Sequence, residues 1–320
     1  MVSENTQMLA KKYGYLPETI ERFLKLFGLE HTKAMLVAYN KKPQQSIRVN
    51  TLKTSKEKLE KRLCVKGFRL ERVPFYNDGF FVKEAPFSLG ATTEYLVGNY
   101  FLQSIASWLP IIALQPKPHE VILDLAAAPG GKSTHIAELM KNTGALICLD
   151  ISRERIRSLR SNLSRCGIMN TILFRMDSRK FPEFDIKVNR VLLDAPCSGE
   201  GLMAIDKTRR TARSQDDILR MSQLQKELFS AAVKSLQKGG VIVYSTCSTA
   251  PEENEEVISW AMEKYPLKII DTGFDAFQKG LTTAFDKNYH PDLTKARRLY
   301  PHTDGTEGFF FCKIELEEEL

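Results

Sequence analysis

Cys197 and Cys247 each follow a run of apolar residues with the texture of a buried strand. Val191-Leu192-Leu193 leads through Asp194-Ala195-Pro196 to the first, and Val241-Ile242-Val243-Tyr244 through Ser245-Thr246 to the second. In an open α/β sheet the reacting groups lie in the crevice beyond the carboxyl ends of the strands. The two thiols, 50 positions apart, are therefore expected in one cleft. Upstream, Asp124-Leu125-Ala126-Ala127-Ala128-Pro129-Gly130-Gly131-Lys132 offers a glycine turn able to hold a nucleotide-like cofactor. A cofactor turn, an acid and two thiols on one rim point to covalent catalysis.

The turn is neither of two common nucleotide motifs. Gly131-Lys132-Ser133 resembles the end of a phosphate-binding P-loop, but that motif needs a glycine where Ala126 stands, and no G-x-G-x-x-G is present. What remains is a strand, a Pro-Gly-Gly bend and a helix whose first amides favour an anion, here a carboxylate. Asp150 closes the next strand, 19 residues after Gly131, where an acid normally accepts from ribose hydroxyls. Asp177 closes the strand after that. Alone, each acid reads as a loop residue or helix cap. Together they suit an adenosine with a small zwitterionic tail, which describes S-adenosylmethionine.

A thiol beside a methyl donor suits methylation of a pyrimidine at carbon 5. That carbon is a poor nucleophile while the ring is aromatic. Thiolate addition at carbon 6 makes it enamine-like, and loss of the carbon 5 proton and of the thiolate then restores the base. A carboxylic acid at the ring edge would donate to nitrogen 3. Asp194 is placed for this, and the step requires it to be protonated or to share a proton. Lys132 or a nearby dipole would help ionise the nucleophile.

The elements that must position these groups follow from composition and pattern. The chain has 320 residues, 43% hydrophobic and 27% charged, enough for one large domain and a smaller one. Its formal charge of +7 is uneven: residues 1–118 hold 18 Lys or Arg against 10 Asp or Glu, and the rest is nearly neutral. A basic first third suggests a polyanionic partner. Six cysteines without a C-x-x-C pair exclude a zinc-ligand pattern and fit a reducing compartment. No signal peptide or membrane-spanning stretch is visible, so no metal, no membrane, a cytoplasmic location and a monomer are expected.

Residues 1–45 carry helical spacing, with Ile20, Phe23, Leu24 and Phe27 on one stripe after Pro17. Residues 46–95 read as a small α+β (RRM-like) domain: a strand at 47–52, a helix from Ser55 to Lys66, and strands at 68–73 and 80–82 around Asn77-Asp78-Gly79. Residues 96–118 read as a buried connecting helix and linker. From 119 to 320, strands ending near Leu125, Asp150, Asp177, Asp194 and Cys247 alternate with helices near 131–141, 153–166, 216–237 and 252–265. That alternation predicts a mostly parallel sheet with helices on both faces.

The chain resembles the RsmB/NSUN family of RNA cytosine-5 methyltransferases over nearly its whole length. Residues 126–132 match the family's cofactor loop, and Asp194-Ala195-Pro196-Cys197-Ser198-Gly199 and Ser245-Thr246-Cys247-Ser248 its two cysteine motifs. Arg48-Val49-Asn50-Thr51-Leu52 matches the RNA-side domain, Gln103-Ser104 the stretch before the catalytic domain, and residues 305–310 the closing motif. Ser133 stands where threonine is common, and Ala126 where cysteine is frequent. The resemblance implies a Rossmann-like methyltransferase domain with a seven-stranded sheet, S-adenosylmethionine as cofactor and RNA as partner. It implies that Cys247 is the nucleophile, that Cys197 assists product release, that Asp194 contacts the cytosine and that Lys132 orders the site. Ala126, Ala127, Ala128, Pro129, Gly130, Gly131, Lys132, Asp150, Asp177 and Asp194 would surround the cofactor, with Arg155 bordering the adenosine.

Phosphate contacts are expected from the loop Lys207, Arg209, Arg210 and Arg213, and from Lys53, Lys56, Lys58, Lys61 and Arg62. The Gly199-Glu200-Gly201 approach suggests that the arginine loop moves before substrate binds. Transfer RNA is preferred over ribosomal RNA because the RNA-side domain is small. Three rivals remain: a DNA cytosine methyltransferase with Cys197 as nucleophile, a thiol redox enzyme, and a non-catalytic RNA-binding factor.

Overall fold

The computed structural model describes residues 4–212 and 214–319. Helices α1 (Glu4–Tyr13) and α2 (Pro17–Ala38) precede strand β1 (Ser46–Val49), helix α3 (Lys56–Val65), strands β2 (Arg69–Arg72) and β3 (Gly79–Glu84), the single helical turn α4 (Thr93–Leu96), strand β4 (Tyr100–Leu102) and helix α5 (Leu109–Leu114). Alternation then sets in: β5 (Val121–Asp124), α6 (Gly131–Leu139), β6 (Ala145–Asp150), α7 (Arg153–Cys166), β7 (Thr171–Arg175), β8 (Val188–Asp194), α8 (Gln215–Lys234), β9 (Leu236–Thr246) and α9 (Glu255–Lys264). The chain ends through β10 (Leu267–Ile270), the two-residue strands β11 (Gln278–Lys279), β12 (Thr283–Ala284) and β13 (Lys287–Asn288), then β14 (Arg297–Leu299), α10 (Pro301–Asp304) and β15 (Phe309–Leu316).

Contacts divide the chain into two compact units. One gathers residues 44–194 and 230–244 with the end of the chain; the other gathers 4–43, 195–229 and 245–313. The first holds the sheet β9-β8-β5-β6-β7, in which β5 is parallel to both β8 and β6, and β6 to β7. Strand order reverses at β5, so the loop after Asp124 leaves the sheet at a switch point, where open α/β sheets bind ligands. Helices α5, α6 and α7 pack on these strands. This is the expected α/β, Rossmann-like architecture. Strands β5 to β9 supply five strands of that architecture within this unit.

The same unit contains the small antiparallel sheet β2-β3-β1-β4 with α3 packed on it. Ser55 caps α3, its side chain accepting from Lys58 N–H. Ile47, Val49, Leu59, Leu63, Phe80 and Tyr100 form its core. The stretch expected as one connecting helix differs: Tyr100, Phe101 and Leu102 form β4, antiparallel to β1. Tyr100 and Phe101, aromatic residues that favour strands, fill the free edge of β1 with Leu102, and helix resumes at Leu109 with Pro110 in its first turn.

The other unit is built on α1 and α2. Leu9, Ile20, Phe23, Met35, Leu36 and Tyr39 pack with Met203 and Tyr300. Here β11, β14 and β15 lie side by side, β14 antiparallel to both neighbours, and β10 pairs with β15. No helix among the described residues is long and apolar enough to cross a membrane.

Candidate active site: a cofactor loop and a thiol pair

The cofactor loop is shaped by its own neighbours. Gly130 adopts φ +103, a conformation that L side chains rarely take, and opens α6. A Cβ on Gly131 would stand 3.2 Å from Gln103 Nε2, so that position also needs close backbone approach. Asp124, 1% exposed, accepts from Ser133 Oγ at 2.7 Å and from Ala126 N–H. Burial pushes its carboxyl up to about 7, opposed by the Ser133 hydrogen bond. Asp124 was not among the expected site residues, although it opens the motif.

Arg48 braces the same loop from β1. Its guanidinium, 1% exposed, pairs with Glu138 on α6 and donates to Thr134 Oγ1 at 2.9 Å and Gly131 O at 3.4 Å. Asn50 donates to Gly98 O and Cys166 O, both at 2.8 Å. The Arg48-Val49-Asn50 motif therefore joins the small sheet to the α6–α7 layer.

The two strand-end acids differ. Asp150, 3% exposed, accepts Ser152 N–H at Oδ1, while its Oδ2 is buried without a hydrogen-bond partner. Arg155 Nη1 approaches that oxygen to 3.3 Å without hydrogen-bond geometry, and Arg155 also donates to Ala128 O. An orphaned carboxylate oxygen beside the loop fits a ribose hydroxyl. Asp177 caps the short helix 178–184 and is gripped by Arg179, which holds its carboxyl below the usual range. It behaves as a cap. Lys132 Nζ reaches Asp194 Oδ2 at 2.7 Å, so the loop lysine and the strand-end acid form one pair.

In the other unit, Cys197 Sγ and Cys247 Sγ lie 3.1 Å apart, both partly exposed. Ala195 N–H donates to Ser245 O at 2.8 Å, so the two segments run side by side before either cysteine. Cys148, Cys166 and Cys312 are buried, and burial pushes all three thiols up. Cys64 is exposed. No group of His, Cys, Asp or Glu among the described residues could hold a metal ion.

The loop after Cys197 is tied down. Gly201 N–H donates to Cys247 O at 2.9 Å, and Gly308 N–H donates to Gly201 O at 3.1 Å. Glu200, 5% exposed, accepts from Thr249 Oγ1; burial pushes it up to about 7, opposed by Arg22. This replaces the expected mobile hinge at 199–201.

The expected phosphate contacts separate as well. Arg210 is buried, donating to Tyr13 O at 3.1 Å and Tyr39 O at 2.8 Å, which fastens α1 to the end of α2. It has no face left for a phosphate. Arg209 donates to Ser198 O at 2.9 Å and remains partly exposed; Lys207 is exposed. Arg213 lies outside the described residues. Lys53 is exposed and donates to Val97 O and Arg165 O, Lys56 is buried on Asn77, and Lys58, Lys61 and Arg62 are exposed on α3.

Comparison with known proteins agrees with this geometry. Residues 111–315 match the family described as 16S rRNA methyltransferase RsmB/F, and residues 16–105 the N-terminal domain of 16S rRNA methyltransferase RsmF. The chain is 40% identical to the human 28S rRNA (cytosine(4447)-C(5))-methyltransferase over 96% of its length, covering 38% of that protein. It thus spans about half, or less, of the length of the first curated relatives it matches. It is 38% identical to the Pyrococcus abyssi tRNA (cytosine(49)-C(5))-methyltransferase, covering 92% of this chain and 94% of that one. A methyltransferase homologue from Pyrococcus horikoshii superposes with TM-score 0.90 at 38% identity, covering 98% and 99% of the two chains. NSun6 from Pyrococcus horikoshii, solved with SFG, superposes with TM-score 0.84 at 27% identity, covering 93% and 97%. The cofactor loop, the paired thiols and these matches together place the chain in the RsmB/F methyltransferase family.

Proposed function

We propose that this chain methylates carbon 5 of a cytosine in RNA, with S-adenosylmethionine as donor and Cys247 as the nucleophile. The observation that carries the reading is the thiol pair: two sulfurs within 3.1 Å, both open to solvent, on turns 50 residues apart. Relatives whose names state cytosine-C(5) methylation of rRNA and tRNA support it, as does the neighbour solved with SFG, an analogue of S-adenosylmethionine.

The cofactor supplies an electrophilic methyl group. Gly130, Gly131 and the first turn of α6 would receive its carboxylate, and Asp150 Oδ2 would accept from its ribose hydroxyls. Cys247 as thiolate adds to carbon 6 of the cytosine, pushing electron density toward carbon 5. Asp194, sharing a proton with Lys132, donates to nitrogen 3 and stabilises the adduct. After methylation, the carbon 5 proton passes to Cys197 as thiolate, the proton at nitrogen 3 returns to the Asp194–Lys132 pair, and the Cys247–carbon 6 bond breaks to regenerate the Cys247 thiolate, so that Cys197 assists release. The target base must leave its stack, at a cost of about a few kcal/mol, which Lys207, Arg209 and the exposed cations of α3 help offset. Transfer RNA is the preferred substrate, on the Pyrococcus abyssi relative that this chain nearly spans. Ribosomal RNA is the second reading, from the human relative. The enzyme is read as a cytoplasmic monomer.

Bisulfite sequencing of tRNA and rRNA incubated with the protein tests substrate and chemistry together. Cys247→Ala should abolish methylation, whereas Cys197→Ala should trap an RNA–protein adduct that survives denaturing gels. The adduct appearing in Cys247→Ala instead would exchange the two roles.

A further inference from the structure

Glu253 takes no part in the chemistry above, yet it ties together the two turns that carry it. The side chain is wholly buried. Its Oε1 accepts Ser198 N–H at 2.7 Å and Gln225 Nε2 at 3.1 Å. Its Oε2 accepts the hydroxyls of Ser198 and Ser248. Those serines directly follow Cys197 and Cys247, and their hydroxyl oxygens lie 3.3 Å apart. Gln225 also donates to Pro196 O at 2.8 Å, so the residue before Cys197 is held through the same group. We propose that Glu253 is the positioning residue of the thiol pair: one carboxylate, acting through the serine after each cysteine, fixes the separation at which attack and release operate.

Four donors converge on this side chain, and a carboxylate is the only side chain that offers acceptor sites alone for all of them. Charge-assisted hydrogen bonds of this kind are short and directional, which fixes geometry as well as adding energy. A glutamine at 253 would turn an amide N–H toward one donor or force a serine hydroxyl to reverse. Either change lets one cysteine turn shift against the other. Attack on the base needs only Cys247, while release needs Cys197 in register with it. Loosening the clamp therefore slows release more than attack, an inference that rests on the roles given to the two cysteines above.

The first readout needs no RNA. Diamide accepts two electrons and two protons from a pair of thiols, leaving a disulfide and the reduced hydrazine. Closure between Cys197 and Cys247 is followed by peptide mapping and should be rapid in the native protein. In Glu253→Gln it should be slower on the order of tenfold, as expected for reacting atoms moved off their approach. The second readout is the RNA adduct: Glu253→Gln should accumulate it and turn over slowly, which a simple loss of stability would not produce. Ser198→Ala and Ser248→Ala keep the carboxylate and carry the same two measurements if Glu253→Gln does not fold. An unchanged closure rate in the folded variants, with no adduct, overturns the clamp. Full methylation by Cys247→Ala would instead remove the catalytic roles, leaving closure rate to judge Glu253 alone.

Discussion

Between Asp124 and Lys132 the turn is set by residues of the same stretch, and side chains from other elements, Arg48 on β1 and Arg155 on α7, then brace its carbonyls. Asp124 holds Ala126 and Ser133, Gly130 supplies the one unusual dihedral, and α6 begins at once. The two cysteine turns are held the opposite way. Glu253 lies 5 positions from Ser248 but 55 from Ser198, Gln225 lies 29 from Pro196, and the Gly201–Cys247 backbone bond joins the two turns directly. A loop that must present amides to a small ligand can be written as one contiguous motif. Two thiols on separate turns need a third group to hold them in register, and Glu253 is the buried acid proposed for that part.

Buried ion pairs give the strongest way to set the regions against each other. Arg48–Glu138 braces the cofactor loop, and Arg298–Glu255 lies in the thiol unit with Arg298 Nη1 donating to Thr249 O at 3.1 Å. Removing one partner of such a pair costs about 3–5 kcal/mol. Arg48→Met and Arg298→Met should each lose stability on that order in urea titrations. Only Arg48→Met should also weaken S-adenosylmethionine binding by calorimetry, while Arg298→Met should slow methylation at saturating cofactor. Identical functional losses would erase the distinction between the regions.

Asp150→Ala should act on one region alone. Loss of charged hydrogen bonds to ribose, about 1.5–3 kcal/mol, would weaken cofactor binding by roughly 10- to 100-fold. Diamide closure of the thiols should be untouched. Unchanged cofactor affinity would take Asp150 out of the site.

A smaller effect links the two regions through pH. Asp124 and Glu200, one per unit, are each raised by burial to about 7 from unfolded values near 4. The folded state thus binds more protons than the unfolded chain between those limits. The contribution of these two carboxyls to stability is fully present below about pH 4 and is lost as pH climbs through about 7. Thermal melts from pH 5 to 8 should show this decline, and Asp124→Asn and Glu200→Gln should each flatten it. A slope indifferent to both substitutions would mean that neither carboxyl titrates in this range.

What could be read from the chain follows the same division. The alternation after residue 119, the cap at Ser55, helix 153–166 and the switch-point loop are written in contiguous residues, and each appears where expected. The thiol pairing was legible because strand ends converge by rule. Glu253 and Asp124 were not, since a carboxylate beside a serine looks the same whether it faces water or closes a network. Arg210 misled for the matching reason: a cation's sign is visible in sequence, but the carbonyls that consume it are not. Residues 100–102 became a strand because β1 offered an unfilled edge, a tertiary demand that local pattern does not carry.

The backbone contact between Gly201 and Gly308 limits how this scaffold can be altered. A single methyl group at 201 would stand 1.9 Å from Gly308 O and 2.8 Å from Cys247 O. Libraries meant to vary this scaffold should leave those two glycines invariant and place their diversity in the exposed positions of 205–208, where variation does not disturb the peptide groups beside Cys247.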